Sequence, residues 1–412
     1  MLIGAVADDV TGATDLCLML SRSGLHTVQV MGVPDPARPL PDADAVVVAL
    51  KSRTIPADQA VQMSLAAARA LLAGGSHQLL FKYCSTFDST DLGNIGPVTA
   101  ALMDLTGAIS TIACPAFPAN GRTVYQGHLF VGTKLLSDSP MKDHPLTPMR
   151  DADLVAVLSR QTAVPVGLIA HATVAQGAAA IRAAMTTGIH IIDTLDDADL
   201  MTIGKACADL PLVTGGSGIA LGLAANFART LQPAALRMPH GRSVILAGSC
   251  SQATRGQIEA AKAAGHPALS LDLAALTQGR QSAEDLARWA TQQTGLPPVI
   301  YSSVPPEDLA RIQAEFGRDA AGALVEDTLG QVARLLQLSG FTRFIIAGGE
   351  TSGAVVQALG VTTLEIGPEI APGVPWTHSI NGPDLAFTLK SGNFGGPDFF
   401  TKALSDLAEL TR

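Results

Sequence analysis

The sequence predicts an α/β protein of two domains, each a mostly parallel sheet flanked by helices. Three observations carry that expectation. Short apolar runs alternate with helix-compatible segments along the whole chain. The runs are continuous rather than alternating with polar residues, as in strands buried on both faces. One Pro- and Gly-rich break separates two such series.

The first series comprises Leu2–Ala7, Val28–Gly32, Ala45–Leu50, Leu79–Phe81, Thr111–Cys114, Val166–Ala170, Ile189–Asp193 and Leu212–Thr214. Helices are expected between them, among others at Ala57–Leu72 and Thr173–Met185. At 231–242 the segment LQPAALRMPHGR places two prolines and a glycine before a new apolar strand. It reads as a linker between an expected substrate domain, 1–230, and an expected nucleotide domain, 243–412. The second series is Val244–Ala247, Pro298–Ser302, Phe344–Ala347, Thr362–Ile366 and Leu385–Leu389. Before Phe344, the residues Val325, Leu329, Val332 and Leu336 share one helical face, and Gly340 suits the helix end.

Composition narrows the partners. Against 36 Asp and Glu stand 27 Lys and Arg, a net charge of −9, and no basic block stands out, so neither nucleic acid nor an anionic membrane is expected. The longest uncharged stretches, Gln161–Ile181 and Leu210–Ala228, are interrupted by Pro, Gly and polar residues, so no spanning helix is expected. The start MLIGAVADD lacks a basic n-region and does not read as a signal peptide; a cytoplasmic protein is the expectation. Five widely spaced cysteines without a CxxC disfavour a disulfide framework and a structural zinc site.

In open parallel sheets, ligands bind beyond the carboxyl ends of the strands, so the residues following each run are the candidates. After Ala7 come the adjacent acids Asp8 and Asp9, at the start of a helix. Such a pair can accept a proton or touch a metal; alternatively, one acid caps the helix and the other is solvated. Lys51, Ser52 and Arg53 follow Leu50. Lys82, Ser85 and Thr86 follow Phe81, and Arg122 follows Cys114 at some distance. Cations and hydroxyls of this kind grip a carboxylate and a small polyol. Taken singly each loop is better explained by turn chemistry and caps, but four polar loops at one sheet edge together point to a small anionic ligand. Cys84 and Cys114 read as packing residues rather than nucleophiles, and His144 as a solvated or locally bonded loop residue.

The second half places small residues at three strand ends: Gly248–Ser251, Gly348–Gly353 and Ser391–Gly396. Gly348, Gly349, Glu350 and Thr351 form a strand–turn–helix junction whose N–H groups and dipole suit phosphate, although it is neither a Walker A nor a clean GxGxxG motif. Gly215–Gly218 is a further glycine-rich loop, read first as a tight turn.

Several of these segments together resemble the four-carbon acid sugar kinase family: ADDVTGA at 7–13, FKYCSTFDST at 81–90, PANGRTVYQG at 118–127, VTGGSG at 213–218, GSCSQ at 248–252, GGETSG at 348–353, PGVPW at 372–376 and KSGNFG at 390–395. The resemblance runs from the first strand to the last. It implies ATP with Mg²⁺ and a four-carbon sugar acid as partners, with homo-oligomerisation left open, and an active site in the cleft between the domains. The segments FKYCSTFDST and NGRTVYQGHLFV most resemble members that phosphorylate the C4 hydroxyl of 3-oxo-tetronate; members acting on D-threonate or D-erythronate are more distant alternatives. The resemblance places nucleotide contacts on Ser249 or Ser251, on Gly348 through Thr351, and on Gly392 or Gly395. It places sugar-acid contacts among Asp8, Asp9, Lys51, Ser52, Arg53, Lys82, Ser85, Thr86 and Arg122, with Asp8 or Asp9 as base. Outside the family, a nucleotide-cofactor oxidoreductase would use the same glycine loops, but no ribose-binding acid follows at the expected distance. A catalytically silent sugar-acid sensor is the other alternative.

Overall fold

Ile3–Ala7 forms β1, and all of its residues are buried, as a strand covered on both faces requires. The computed structural model describes residues 1–88, 90–143, 147–227, 236–302 and 317–410. The chain divides into two compact units, Met1–Pro233 and Ala234–Arg412.

In the first unit, β1 pairs in parallel with β3 (Ala45–Ala49) and β4 (Gln78–Lys82), and β2 (Thr27–Met31) pairs with β3. Beyond β4 lie β11 (Leu212–Gly215), β5 (Ser110–Cys114), β10 (Gly188–Ile192) and β9 (Val166–Ile169), all parallel. The order is β2-β3-β1-β4-β11-β5-β10-β9. Every carboxyl end therefore falls on one edge. The chain builds β2 and β3 to one side of β1 and then crosses to β4 on the other, which makes β1 the switch point where such sheets bind ligands. All eight strands expected from apolar runs are present, with ends shifted by a residue or so.

Two expectations for this unit are corrected. Thr173–Met185 is not one helix: His171–Val174 and Ala178–Ala184 are separate, because Gly177 adopts φ +98° between them. The stretch around Arg122, expected as a polar loop, is a small antiparallel sheet of β6 (Arg122–Tyr125), β7 (His128–Val131) and β8 (Lys134–Leu135). Its β6–β7 turn has positive φ at Gln126 and Gly127, 51° and 75°. Asp193, fully buried just beyond β10, accepts the N–H groups of both turn residues at 2.8 and 2.9 Å and that of His171 at 2.9 Å.

The second unit has the order β13-β14-β12-β15-β18-β17-β16. Here β12 (Arg242–Ala247), β13 (Ala268–Ser270), β14 (Val299–Tyr301), β15 (Phe341–Ala347) and β18 (Ala386–Lys390) are parallel. The strand expected at Thr362–Ile366 extends to Ala371 as β16 (Thr363–Ala371) and turns back as β17 (Val374–Ser379), an antiparallel hairpin not anticipated. The Arg318–Leu338 helix buries Leu329, Val332 and Leu336 of the expected face, while Val325 is half-buried, and Gly340 follows its end at φ +85°. Ile245, Ile345, Trp376, Phe399 and Phe400 belong to the core of this unit. Among the described residues no helix is long and apolar enough to cross a membrane.

The helices Asp197–Ala206 and Ala220–Ala224 touch backbone to backbone. A Cβ on Gly222 would overlap the Leu200 carbonyl, and one on Gly204 would overlap the Gly222 backbone. Gly222→Ala should therefore destabilise the protein by about 1–3 kcal/mol, the usual range for overpacking, read from urea unfolding. An unchanged midpoint would show that the helices part without strain.

Candidate active site

Asp9 is the N-cap of the helix Val10–Arg22: its Oδ2 accepts Gly12 N–H at 3.2 Å and the Thr11 hydroxyl at 2.9 Å. Capping is one of the roles the sequence allows for this acid pair. Asp8 is not solvated, however, being only 6% exposed. Arg53 clamps it, donating Nε to Oδ2 at 2.9 Å and Nη2 to Oδ1 at 2.7 Å, while Nη2 also reaches Asp9 Oδ1 at 2.6 Å. Lys82 Nζ stands 3.6 Å from Asp9 Oδ1. A Cβ on Gly12 would overlap Lys82 Nζ and Asp9 Oδ1, so glycine at this helix start lets the cation in.

Two acids and two cations thus balance at the end of β1. Burial raises the Asp8 carboxyl above its ordinary value, and the Arg53 contact offsets that only in part. Burial also works against Asp9 ionisation, but Arg53, Lys82, the Thr11 hydroxyl and Gly12 N–H outweigh it and hold Asp9 well below the usual carboxylate range. Burial opposes the charge on Arg53 as well, yet Asp8 and Asp9 keep it firmly protonated.

The backbone supports this cluster. Ser52 N–H and Arg53 N–H donate to the Asp8 carbonyl at 3.0 and 3.2 Å. Asn94 Nδ2 reaches the carbonyls of Ser52, Arg53 and Ile55 at 2.7, 3.1 and 3.0 Å, pinning the loop that carries Arg53. Asn94 was not singled out from the sequence. An Asn just before a helix reads as a cap, yet it makes no cap bond and binds a loop some 40 residues away instead. Ser52 is buried, Lys51 exposed, and Ser85 half-buried. Thr86 is buried; its hydroxyl donates to Asp88, with Cys84 Sγ at 3.0 Å.

Arg122 begins β6. Its Nη1 donates to the Asn120 carbonyl, while its Nε is buried with no hydrogen-bond partner among the described residues. Gly215–Gly218 packs onto the loop after β5: a Cβ at Gly216 would lie 2.6 Å from the Pro115 carbonyl oxygen, which accords with a tight turn. Burial pushes the Cys84 thiol up to about 12 and the Cys114 thiol up to about 11, so neither is a thiolate nucleophile near neutral pH. His144 and Ser89 lie outside the described residues.

In the second unit the three small-residue loops follow β12, β15 and β18, which are neighbours in the sheet. Ser251 caps the helix Gln252–Ala263, and its hydroxyl donates to the Gly392 carbonyl at 2.6 Å. Ser249 Oγ accepts Ser251 N–H at 3.2 Å. A Cβ on Gly392 would overlap Ser249 Oγ, and one on Gly248 would overlap the Thr351 hydroxyl. Gly348 takes φ +130° and leads into the helix Gly349–Ala358, which has no side-chain cap and carries Glu350 in its first turn. That end leaves N–H groups and the positive end of a dipole available to an anion. Gly395 sits apart from the hydroxyls: at φ +80° its missing Cβ makes room for the Phe399 ring, and Gln257 Nε2 holds its carbonyl at 3.0 Å.

Known proteins resemble this chain over almost its whole length. A family model described as a sugar-binding N-terminal domain matches residues 3–223, and one described as a nucleotide-binding C-terminal domain matches residues 244–400. The 3-oxo-tetronate kinase of Burkholderia multivorans is 53% identical over 98% of this chain and 97% of its own length. That of Pseudomonas fluorescens is 53% identical over 99% and 97%. A solved structure from Salmonella typhimurium LT2, 43% identical, superposes with a TM-score of 0.87 over 98% of this chain and 99% of its own. A Haemophilus influenzae protein, 42% identical, gives 0.78 over the same shares.

Because the folded protein depresses the proton affinity of Asp9, this carboxylate adds stability above its unfolded value of about 3.9, and the contribution is lost as the pH falls toward the folded value. Asn caps a helix about as well as Asp, so Asp9→Asn isolates the charge. The stability gap between wild type and Asp9→Asn should be widest above about pH 5 and narrow toward about pH 2 in urea unfolding. A gap that does not change with pH would show that Arg53 and Lys82 do not stabilise the ionised form.

Proposed function

Since the chain belongs to the four-carbon acid sugar kinase family, we propose that it transfers the γ-phosphoryl group of ATP to the C4 hydroxyl of 3-oxo-tetronate, giving ADP and 3-oxo-tetronate 4-phosphate. The observation that carries this reading is the full-length similarity to relatives bearing that name, at 53% identity. The oxidoreductase and sensor alternatives draw no support from these relatives.

The first unit is the substrate domain and the second the nucleotide domain in this reading. The loops after β12, β15 and β18 receive the phosphates: the Ser249 and Ser251 hydroxyls, the open helix end at Gly348–Thr351, and the backbone at Gly392. Gly395 contributes by shaping the loop. Mg²⁺ on the triphosphate would neutralise charge on its β- and γ-oxygens. It needs only one or two protein carboxylates, and Glu350, in the first turn beside these loops, fits that requirement.

On the substrate side, Arg122 takes the C1 carboxylate. Its buried Nε still lacks an acceptor among the described residues, whereas Arg53 and Lys82 already face Asp8 and Asp9. Ser52, Ser85, Thr86 and Lys51 are the candidates for the remaining oxygens. Asp9 accepts the C4 proton. It is the more open of the two acids, 22% exposed at the side chain against 8% for Asp8. Its low proton affinity is no obstacle if phosphoryl transfer is loose and the proton leaves late. Asp8 then serves to orient Arg53. In-line transfer requires the C4 oxygen within reach of the γ-phosphorus during turnover.

The decisive assay is ADP release over a panel of four-carbon acids, with 3-oxo acids generated in situ. Turnover should be highest with 3-oxo-tetronate and small with hexoses and glycerol; preference for D-threonate or D-erythronate would reassign the substrate within the family. Glycerol turned over as fast as the four-carbon acids would overturn the reading altogether.

Asp9→Asn should lower kcat at least about a hundredfold, the scale of a general base, with little change in ATP affinity. Near-normal kcat would remove Asp9 from the proton transfer and move the role to Asp8.

A further inference from the structure

Lys390 ends β18, and its side chain is completely buried. Its Nζ donates to Thr254 Oγ1 at 3.1 Å, to the Ser391 carbonyl at 3.0 Å and to the Gly392 carbonyl at 3.0 Å. The Gly392 carbonyl also receives the Ser251 hydroxyl at 2.6 Å and the Thr254 hydroxyl at 2.9 Å. The Phe399 ring lies 5.9 Å from Nζ. These contacts come from the helix Gln252–Ala263, from the loop after β18 and from the helix Phe399–Leu410. Among the described residues no carboxylate pairs with Lys390, and no other ionisable group perturbs it. A buried ammonium without a counter-ion is unfavourable, and carbonyl dipoles compensate it only in part. Burial accordingly lowers Lys390 from its ordinary value to about 7.

In a trans peptide the C=O and the following N–H point in opposite directions. Drawing the Ser391 and Gly392 carbonyls in toward Nζ turns the N–H groups of Gly392 and Asn393 away from it. Successive N–H groups presented this way form an anion-binding concavity. The loop adjoins the uncapped helix end, because Gly348 N–H donates to the Lys390 carbonyl at 2.9 Å.

We infer that Lys390 is a positioning residue of the nucleotide site: its buried ammonium holds the Ser391–Gly392 peptides so that the Gly392 and Asn393 N–H groups face phosphate, and the bound phosphates supply the negative charge that the protein does not. This rests on the reading that nucleotide binds at the loops after β12, β15 and β18. Binding is then coupled to a proton. Burial makes Lys390 lose its proton more readily than an exposed lysine does, and a nearby polyanion favours its charged form, so at pH 8 the complex takes up a proton. At pH 6 Lys390 is already charged and uptake vanishes. Nucleotide affinity falls as the pH rises above about 7, by up to about tenfold per unit.

Calorimetric titration of the full chain with MgADP, in two buffers of different ionisation heat, reads this directly. Wild type should take up a large fraction of a proton at pH 8 and little at pH 6. Lys390→Met, with folding checked by thermal melting, should show no uptake and bind MgADP at least about tenfold more weakly at pH 6, where wild type carries the charge. If Lys390→Met does not fold, the contrast between pH 8 and pH 6 in wild type still decides. Binding by wild type without linked proton uptake, or wild-type affinity and uptake in Lys390→Met, would overturn the role of Lys390 alone. Failure of wild type to bind MgADP at all would overturn both this role and the nucleotide-site reading.

Discussion

The parallel direction shared by β1, β3 and β4 governs the chemistry of the first unit. Their register sets Ala7 beside Ala49 and Lys82, so the residues that leave or end these strands emerge on one edge. Asp8, Asp9, Ser52, Arg53 and Lys82 come together although up to 74 residues separate them. Low solvent access makes the gathering electrostatically demanding, and two acids opposite two cations meet that demand. Gly12 and Asn94 are as necessary as the charges. The former clears space for Lys82 at the helix start, and the latter ties down the loop that carries Arg53.

The second unit uses the same strand-end geometry with a different electrostatic solution. Apart from Glu350, its loops present serine and threonine hydroxyls and peptide dipoles, which carry partial rather than full charges. Gly248 and Gly392 are small because the Thr351 and Ser249 hydroxyls occupy the places a Cβ would take. The one full charge buried among them, Lys390, has no carboxylate opposite it among the described residues. The first cluster balances its charges with its own residues, two acids against two cations. The second presents N–H groups, hydroxyls and the Lys390 side chain, groups that favour an anion.

Asp193 illustrates how a structural carboxylate differs from these. It is as buried as any residue in the protein, but three backbone N–H groups satisfy it: two in the β6–β7 turn and one at His171. Its task is to fasten the β6–β8 sheet, and with it Arg122, over the end of the parallel sheet. Burial alone would have made Asp193 a candidate for catalysis, and its partners remove it.

By itself the sequence determined most of the strands, though not the short β13 (Ala268–Ser270), and the order in which chemistry-bearing loops follow them. Short apolar runs bounded by turn residues fit strands covered on both faces, and Asp8-Asp9, Lys51-Ser52-Arg53, Lys82 and the Gly348–Gly353 loop stand at strand ends because those runs stop there. It did not show the β6–β8 sheet, the β16–β17 hairpin or the break at Gly177. These depend on positive-φ turns and on long-range partners such as Asp193, which leave no local periodicity. Only the tertiary structure decided how the polar residues pair. Which of two adjacent acids caps a helix, that Arg53 spans both, that Asn94 abandons its own helix for a distant loop, and that Lys390 is buried without a counter-ion are all consequences of which strands lie side by side. Hydrogen bonds and Coulomb energies depend on distances of a few ångströms between residues far apart in the chain, and folding alone sets those distances.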